Sequence, residues 1–169
     1  MTALIFVDTN VLLYARDRRF PAKQKRAGEW MAHLWREMTG RTSMQVLSEF
    51  YVNATKSKLG LTADEAWDEV TMFLDWNPQA TDASVFEMAH EVERRYRLSW
   101  WDSTIVAAAK LQGCEVLLTE DLQDGLRIGS LEVRSPFSLE ARESVAEYAA
   151  APRARALHRP RGRPARVAV

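Results

Sequence analysis

Acidic residues of this chain stand at positions where a carboxylate is unusual. Asp8 directly follows an apolar run at residues 4–7, and Asp121 comes soon after a second run at residues 116–119. Glu49 lies in the otherwise apolar setting of residues 46–52. An unpaired buried carboxylate is so costly that it takes up a proton. Each of these acids therefore needs a partner, or a position where the chain leaves the core.

A fourth acid, Asp102, is the third residue of a helix that the sequence predicts after Ser99. The backbone N–H groups and the dipole of a helix start favour an anion there. Four carboxylates gathered from separate elements would raise one another's pKa unless a cation neutralised them. An all-oxygen site suits Mg²⁺ or Mn²⁺, which can orient or activate a water molecule against a phosphodiester.

Two of the acids also have a purely structural interpretation. Asp8 could simply begin a turn with Thr9 and Asn10. Asp102 could be the acid of a capping box with Ser99. Neither residue would indicate a function by itself.

The other two acids are ambiguous in a different way. Glu49 could be a solvated residue on a polar helical stripe that includes Gln45. Glu120 and Asp124 compete with Asp121, because the loop after the strand breaks the alternation of side chains. Only the conjunction of four acids, each in a favourable place, favours a shared site.

The elements that must position these acids follow from apolar periodicity. Strands are predicted at residues 4–7, 115–119 and 131–134, with a weaker candidate at residues 77–81. Strands separated by helices imply an α/β fold, in which a parallel sheet is flanked by helices on both faces. Ligands of such sheets bind outside the carboxyl ends of the strands, where Asp8 would lie. Helices are predicted at residues 24–38 (ended by Gly40), 44–57, from the Thr62–Glu65 capping box onward, 84–96 and 99–113.

Composition predicts one domain and a flexible tail. A length of 169 residues suits a single domain with a core, which we place at residues 1–140. The extension at residues 141–169 is rich in arginine and has no acid after Tyr148, and we expect it to be flexible from about residue 150. No apolar run is long enough for a membrane helix, and no export signal is evident, so we expect a cytoplasmic protein without membrane contact.

Four stretches of the chain resemble, in the same order, the acidic motifs of PIN-domain ribonucleases. They are FVDTNVL at residues 6–12, QVLSEF at 45–50, WDS at 101–103 and LTED at 118–121. The sequence is most similar to VapC-type toxins of bacterial toxin–antitoxin pairs. The resemblance implies a three-layer PIN-like fold and endonuclease action on RNA that depends on Mg²⁺ or Mn²⁺.

The resemblance also implies roles for individual residues and partners. It makes this protein an endoribonuclease toxin of a type II toxin–antitoxin system, with an RNA substrate, a cognate antitoxin and a homodimeric assembly. The alternative is a catalytically silent PIN-like module that binds RNA or protein, which has no need to concentrate negative charge facing phosphate. The metal-binding catalytic acids implied are Asp8, Glu49, Asp102 and Asp121, supported by the polar groups of Asn10 and Thr119.

RNA needs a positively charged surface from which to approach an acidic site. A basic segment near the first predicted long helix could supply it, although the same residues could equally form a solvated helix face. The candidates are Arg16, Arg18, Arg19, Lys23 and Lys25.

Overall fold

A computed structural model describes residues 3–56, 59–138 and 145 of the chain. These residues form a five-stranded sheet and six α-helices, with one 3₁₀ turn at Leu74–Trp76. The strands are β1 (Ile5–Val7), β2 (Gly40–Arg41), β3 (Val116–Leu118), β4 (Arg127–Ile128) and β5 (Leu131–Arg134). The helices are α1 (Thr9–Tyr14), α2 (Pro21–Glu37), α3 (Met44–Lys56), α4 (Ala63–Phe73), α5 (Ala83–Tyr96) and α6 (Trp100–Leu111).

The predicted α/β fold with a largely parallel sheet is confirmed. The strand order is β2-β1-β3-β5-β4, and β1 pairs in parallel with both β2 and β3. Strand β5 continues the parallel sheet beside β3, whereas β4 pairs antiparallel with β5 at the edge. All three residues of β1 and of β3 are buried, as expected for central strands covered on both sides.

The order of connections explains why helices cover both faces. The chain moves from β1 to β2 through α1 and α2, and then returns past β1 to β3 through α3 to α6. Right-handed crossovers that run in opposite directions place their helices on opposite faces of a sheet. The direction changes between β1 and β3, so a crevice opens at the carboxyl ends of these two strands.

The helix starts and ends follow local rules that the sequence largely predicts. Thr62 caps α4 as expected: its Oγ1 accepts from the Glu65 amide at 3.2 Å, and Glu65 Oε2 accepts from the Thr62 amide at 2.8 Å. The prediction that Gly40 ends α2 is wrong. Met38, in the left-handed conformation with φ of 58°, ends the helix, and Gly40 begins β2 instead.

Gly40 is needed for a close approach rather than for a helix stop. A Cβ atom at this position would lie 2.5 Å from the ring of Trp76, which covers the strand. The two-residue strands β2 and β4 were not predicted. The weak candidate strand at residues 77–81 contributes only an isolated bridge between Ser43 and Gln79.

Two further expectations concern the ends and surroundings of the domain. Val145 is buried in the core, but the predicted boundary at residue 140 and the arginine-rich tail lie outside the described residues. The boundary therefore stays a prediction. In the described part of the chain, no helix has the length and apolar character needed to cross a bilayer.

Candidate active site

Asp8 lies at the carboxyl end of β1 and is the N-cap of α1. Its Oδ1 accepts a hydrogen bond from the Thr9 amide at 2.7 Å, and its side chain is 9% exposed. Asp8 therefore begins a helix that contains Thr9 and Asn10, where the structural interpretation expected a turn. Its second oxygen, Oδ2, remains available for contacts across the crevice.

Side chains from the end of β3 meet Asp8 at this point. The Thr119 hydroxyl donates to Asp8 Oδ2 at 2.8 Å, and Thr119 is fully buried. Asn10 Nδ2 lies 3.2 Å from Asp8 Oδ2, 2.9 Å from Thr119 Oγ1 and 3.0 Å from Asp121 Oδ2. One amide group, with two hydrogens for three acceptors, therefore bridges the ends of β1 and β3.

Glu49 joins this group through a residue that the sequence analysis did not single out. Thr9 Oγ1 donates to Glu49 Oε2 at 3.0 Å, and Thr9 is the first residue of α1, next to Asp8. Gln45 holds the other oxygen of Glu49, with Nε2 3.0 Å from Oε1. The polar stripe of α3 thus faces the crevice rather than only solvent.

Asp102 is connected differently from the other three acids. Its Oδ2 accepts from the Ser99 hydroxyl at 2.6 Å, and its amide donates to Ser99 Oγ at 3.1 Å. Within the described residues, these local bonds are the side-chain contacts that the structure gives it. Ser99 is the cap, and the carboxylate of Asp102 bonds the Ser99 hydroxyl rather than the backbone amide that a complete capping box would use. The structure brings Asp8, Glu49 and Asp121 together by direct hydrogen-bond links and leaves Asp102 outside that network.

The course of α6 places its first turn on the carboxyl side of the sheet, and the membership of Asp102 in the site stays a prediction. The end of α6 lies at the amino edge of the sheet, because only residues 112–115 separate it from β3 and the Glu115 amide bonds Leu4 at the start of β1. A helix of twelve residues is about 18 Å long, and α6 packs its apolar face on the core. Its first turn, with Asp102, must therefore reach toward the carboxyl edge.

The electrostatics of Asp8 are set mainly by its burial and only secondarily by the neighbouring acids. Burial raises the pKa of Asp8 from 3.8 to about 6. Hydrogen bonds from Thr119 and Thr9 oppose this shift, while the neighbouring charges of Asp121 and Glu49 add to it. The influence of both neighbours on the pKa of Asp8 shows that the three carboxylates share one electrostatic environment.

This donor set fits a hard divalent cation by its chemistry. It consists of carboxylate oxygens, flanked by the amide oxygen of Asn10 and by hydroxyl groups, and a cation would relieve the charge that raises the pKa of Asp8. As the side chains stand in the described part of the chain, no three acidic, histidine or cysteine groups form a ready cage. The Asn10 amide lies between Asp8 and Asp121 instead.

The two acids that compete with Asp121 have other partners. Glu120 Oε2 forms an ion pair with Lys23 Nζ at 2.6 Å, which matches the expectation that Glu120 would point to solvent or to a surface base. Asp124 accepts from the Ser135 amide at 2.8 Å and from the Ser138 hydroxyl at 3.2 Å. Asp124 therefore ties down a surface loop, whereas Asp121 faces the crevice.

Sequence reasoning named Asn10 and Thr119 as supporting groups but missed three other residues that contact carboxylates here. Thr9, Gln45 and Lys23 each contact a carboxylate that lies on another element or on the next helical turn. The only sequence signal for Gln45 was its spacing of four residues from Glu49 on α3, which places both on one helix face. Nothing local marks Thr9 or Lys23, since their partners are 40 and 97 residues away.

Fold and site together define an α/β protein with an acidic, oxygen-lined crevice at the switch point of a parallel sheet. A family profile described as the PIN domain matches residues 5–123. The chain therefore belongs to the PIN domain family. Comparison with curated proteins gave no match.

Solved structures with the same fold include two from toxin–antitoxin systems. A toxin–antitoxin complex from Klebsiella pneumoniae aligns with a TM-score of 0.58 and 21% identity, over 81% of this chain and 100% of that one. VapBC2 from Rickettsia felis, bound to a DNA fragment from its promoter, aligns with a TM-score of 0.55 and 16% identity, over 78% and 98% of the two chains. At these identities the likeness establishes the fold.

Proposed function

We propose that this protein is a metal-dependent endoribonuclease that acts as the toxin of a type II toxin–antitoxin system. The observation that carries the proposal is the convergence of Asp8, Glu49 and Asp121 at the carboxyl ends of β1 and β3 in a PIN domain. A buried carboxylate with two acidic neighbours is unfavourable for a fold that has no use for it. The same arrangement is what a hydrolytic metal site requires.

Individual roles follow from the contacts. Asp8, Glu49, Asp102 and Asp121 would hold Mg²⁺ or Mn²⁺, which supplies a polarised water and charge neutralisation for in-line hydrolysis of a phosphodiester. The Asn10 amide and the Thr119 hydroxyl orient the carboxylates of Asp8 and Asp121 and keep them apart.

The proposed partners come from the toxin–antitoxin systems to which the two structural neighbours belong. We propose that a cognate antitoxin covers the acidic crevice, that the protein forms a homodimer, and that it acts in the cytoplasm, where RNA is available. The rival interpretation, a silent PIN-like module, lacks a reason for the charged crevice.

The direct test is cleavage of total RNA by the full chain, with Mg²⁺ and with a chelator. Fragments should appear with the metal, and the Asp8→Asn protein should produce none while melting as a folded protein. Cleavage that persists in the Asp8→Asn protein would point to a contaminating nuclease. Metal-independent RNA binding without cleavage by the wild type would favour the silent module.

A further inference from the structure

The last turn of α5 and the residue after it carry three arginines that the proposed function has not used. Arg94, Arg95 and Arg97 are exposed, and within the described residues none of them lies within ion-pair distance of a carboxylate. Arg94 and Arg95 complete the last turn of α5, and Arg97 is its C-cap, with φ of 59°. We call these three residues the basic turn.

The basic residues expected near the first long helix differ in this respect. Arg19 pairs with Asp17 at 2.7 Å, and Lys23 pairs with Glu120 at 2.6 Å. Arg16 pairs with a carboxylate on α4 at 2.8 Å. Three of the five sequence candidates for RNA approach are thus neutralised by carboxylates, so their charge is poorly available to a phosphate backbone.

An aromatic side chain stands beside the basic turn. Trp101, the second residue of α6, is 68% exposed, a large fraction for a tryptophan. Its neighbour Trp100 packs edge-on against Phe86, with ring centroids 5.5 Å apart, and so serves the fold. Of the two neighbouring tryptophans, Trp100 therefore packs against the protein and Trp101 is largely exposed.

The basic turn and Trp101 lie next to each other, at the start of α6. Three residues, 97–99, separate α5 from α6, so the basic turn adjoins the first turn of α6. That turn reaches toward the carboxyl edge of the sheet and contains Asp102, next to Trp101. Guanidinium groups and an indole face therefore lie beside Asp102, on the same side of the sheet as the crevice.

We infer that the basic turn and Trp101 form the binding surface for a single-stranded segment of the RNA substrate, next to the scissile phosphate. This inference rests on the proposed function and names its substrate-binding surface. Exposed guanidinium groups attract the phosphate backbone, and a solvent-facing indole offers a stacking face that only an unpaired base can occupy.

A purely structural role accounts for less of the surface. Basic residues in the last turn of a helix stabilise its dipole, which explains Arg94 and Arg95. It extends to Arg97, the C-cap, but it does not explain the exposure of Trp101. Glu91 and Glu93 share α5 with these arginines and reduce the local potential, but they form no ion pair with them among the described residues.

The test measures binding of a short fluorescein-labelled single-stranded RNA to full-length protein in the Asp8→Asn background, across a series of salt concentrations. Replacing all three arginines of the basic turn by Gln should lower the slope of log Kd against log salt by about 2, since each phosphate contact on a single strand contributes about 0.7. Trp101→Leu should weaken binding roughly tenfold and leave that slope unchanged.

Matched controls separate this surface from general charge. The triple variant Arg36→Gln, Lys56→Gln and Arg127→Gln removes the same charge from exposed positions elsewhere, and Trp67→Leu removes another exposed indole. Neither control should approach the effect of its counterpart. Thermal melts of every variant check that the fold is retained.

The outcomes are distinguishable from those for the proposed function. Any one of three results overturns this inference, even when the wild type still cleaves RNA with Mg²⁺. The control triple lowers the salt slope as much as the basic-turn triple, Trp101→Leu binds RNA as tightly as the protein with Trp101 unchanged, or a double-stranded RNA competes equally well. If the wild type does not cleave RNA at all, the proposed function fails instead.

Discussion

The Asp8 carboxylate has two roles that oppose each other. Its Oδ1 caps α1 through the Thr9 amide and so stabilises the fold, while its burial beside Asp121 and Glu49 destabilises the charged form. The raised pKa, about 6, shows that the second effect prevails. An amide of the same shape would keep the cap at Oδ1 and lose the repulsion, at the cost of the hydrogen bonds that Oδ2 accepts from Thr119 and Asn10.

We therefore expect Asp8→Asn to stabilise the protein in chelator at pH 8. The pKa of Asp8 in the folded protein, about 6, lies above its ordinary value of 3.8. Protonation of Asp8 therefore favours the folded state, and this stabilisation is complete below about pH 4 and is lost as the pH rises through about 6. The wild type should lose about 3 kcal/mol of unfolding free energy across this window relative to the variant. Urea titrations from pH 4 to pH 8 measure the difference. Marked destabilisation by Asp8→Asn at pH 8 would mean that the carboxylate is structural.

Asp121 and its two acidic neighbours should differ sharply on substitution. Asp121→Ala removes an oxygen that faces Asn10 in the crevice, so it should lower RNA cleavage and metal affinity far more than Glu120→Ala, which only frees Lys23. Asp124→Ala should fall between them, because it loosens the loop that ends at Ser135. Single-turnover cleavage across a Mn²⁺ titration ranks the three. If Asp124→Ala is the most damaging, Asp121 is not the fourth ligand.

At the scale of elements, one hydroxyl group couples α1 to α3. The Thr9 hydroxyl holds Glu49, and Thr9→Val removes that bond without changing the shape of a buried side chain. We expect a higher Mn²⁺ requirement for cleavage and rescue by Thr9→Ser, with a stability loss of only about 1 kcal/mol. Thr55→Val is the control, since Thr55 bonds only backbone carbonyls of α3. An unchanged Mn²⁺ requirement in Thr9→Val would show that Glu49 needs no positioning.

The edge strand β2 begins with Gly40, which has no Cβ atom and can therefore lie close to the Trp76 ring. Gly40→Ala would drive a methyl group into the Trp76 ring, so we expect a loss of about 1–3 kcal/mol in unfolding free energy. Gly28 lies within α2, and a Cβ atom at that position would meet no atom within 4 Å, so Gly28→Ala should instead gain about 0.5–1 kcal/mol. Urea denaturation compares the two directly. Equal effects would show that the Trp76 ring moves aside readily.

For the whole molecule, metal binding should be visible as stability. A cation that binds only the folded chain raises the unfolding free energy by about 2.7 kcal/mol at a hundredfold excess over its Kd. We expect Mn²⁺ to raise the Tm of the wild type and to have little effect on Asp8→Asn. NaCl at matched ionic strength controls for screening. An unchanged Tm together with cleavage in chelator would rule out the metal-dependent mechanism.

The sequence alone predicts features that depend on apolar periodicity or on the residues that begin and end an element. The apolar runs before Asp8 and Asp121 indicated central parallel strands, and the ends of such strands meet at one edge, so the location of the site was predictable. The capping box at Thr62 and Glu65 also follows from local chemistry. These features depend on neighbours within a few residues along the chain.

How the acids are held, and which charges are available, could be learned only from the folded chain. The Thr9–Glu49 and Lys23–Glu120 contacts join residues far apart in the chain, and a single polar pair at such a distance leaves no period to detect. The two-residue strands β2 and β4 are too short to alternate. Arg19 pairs with a carboxylate, whereas Arg97 is exposed and has no carboxylate partner among the described residues. This difference depends on which element packs beside each arginine, and the fold as a whole determines that packing.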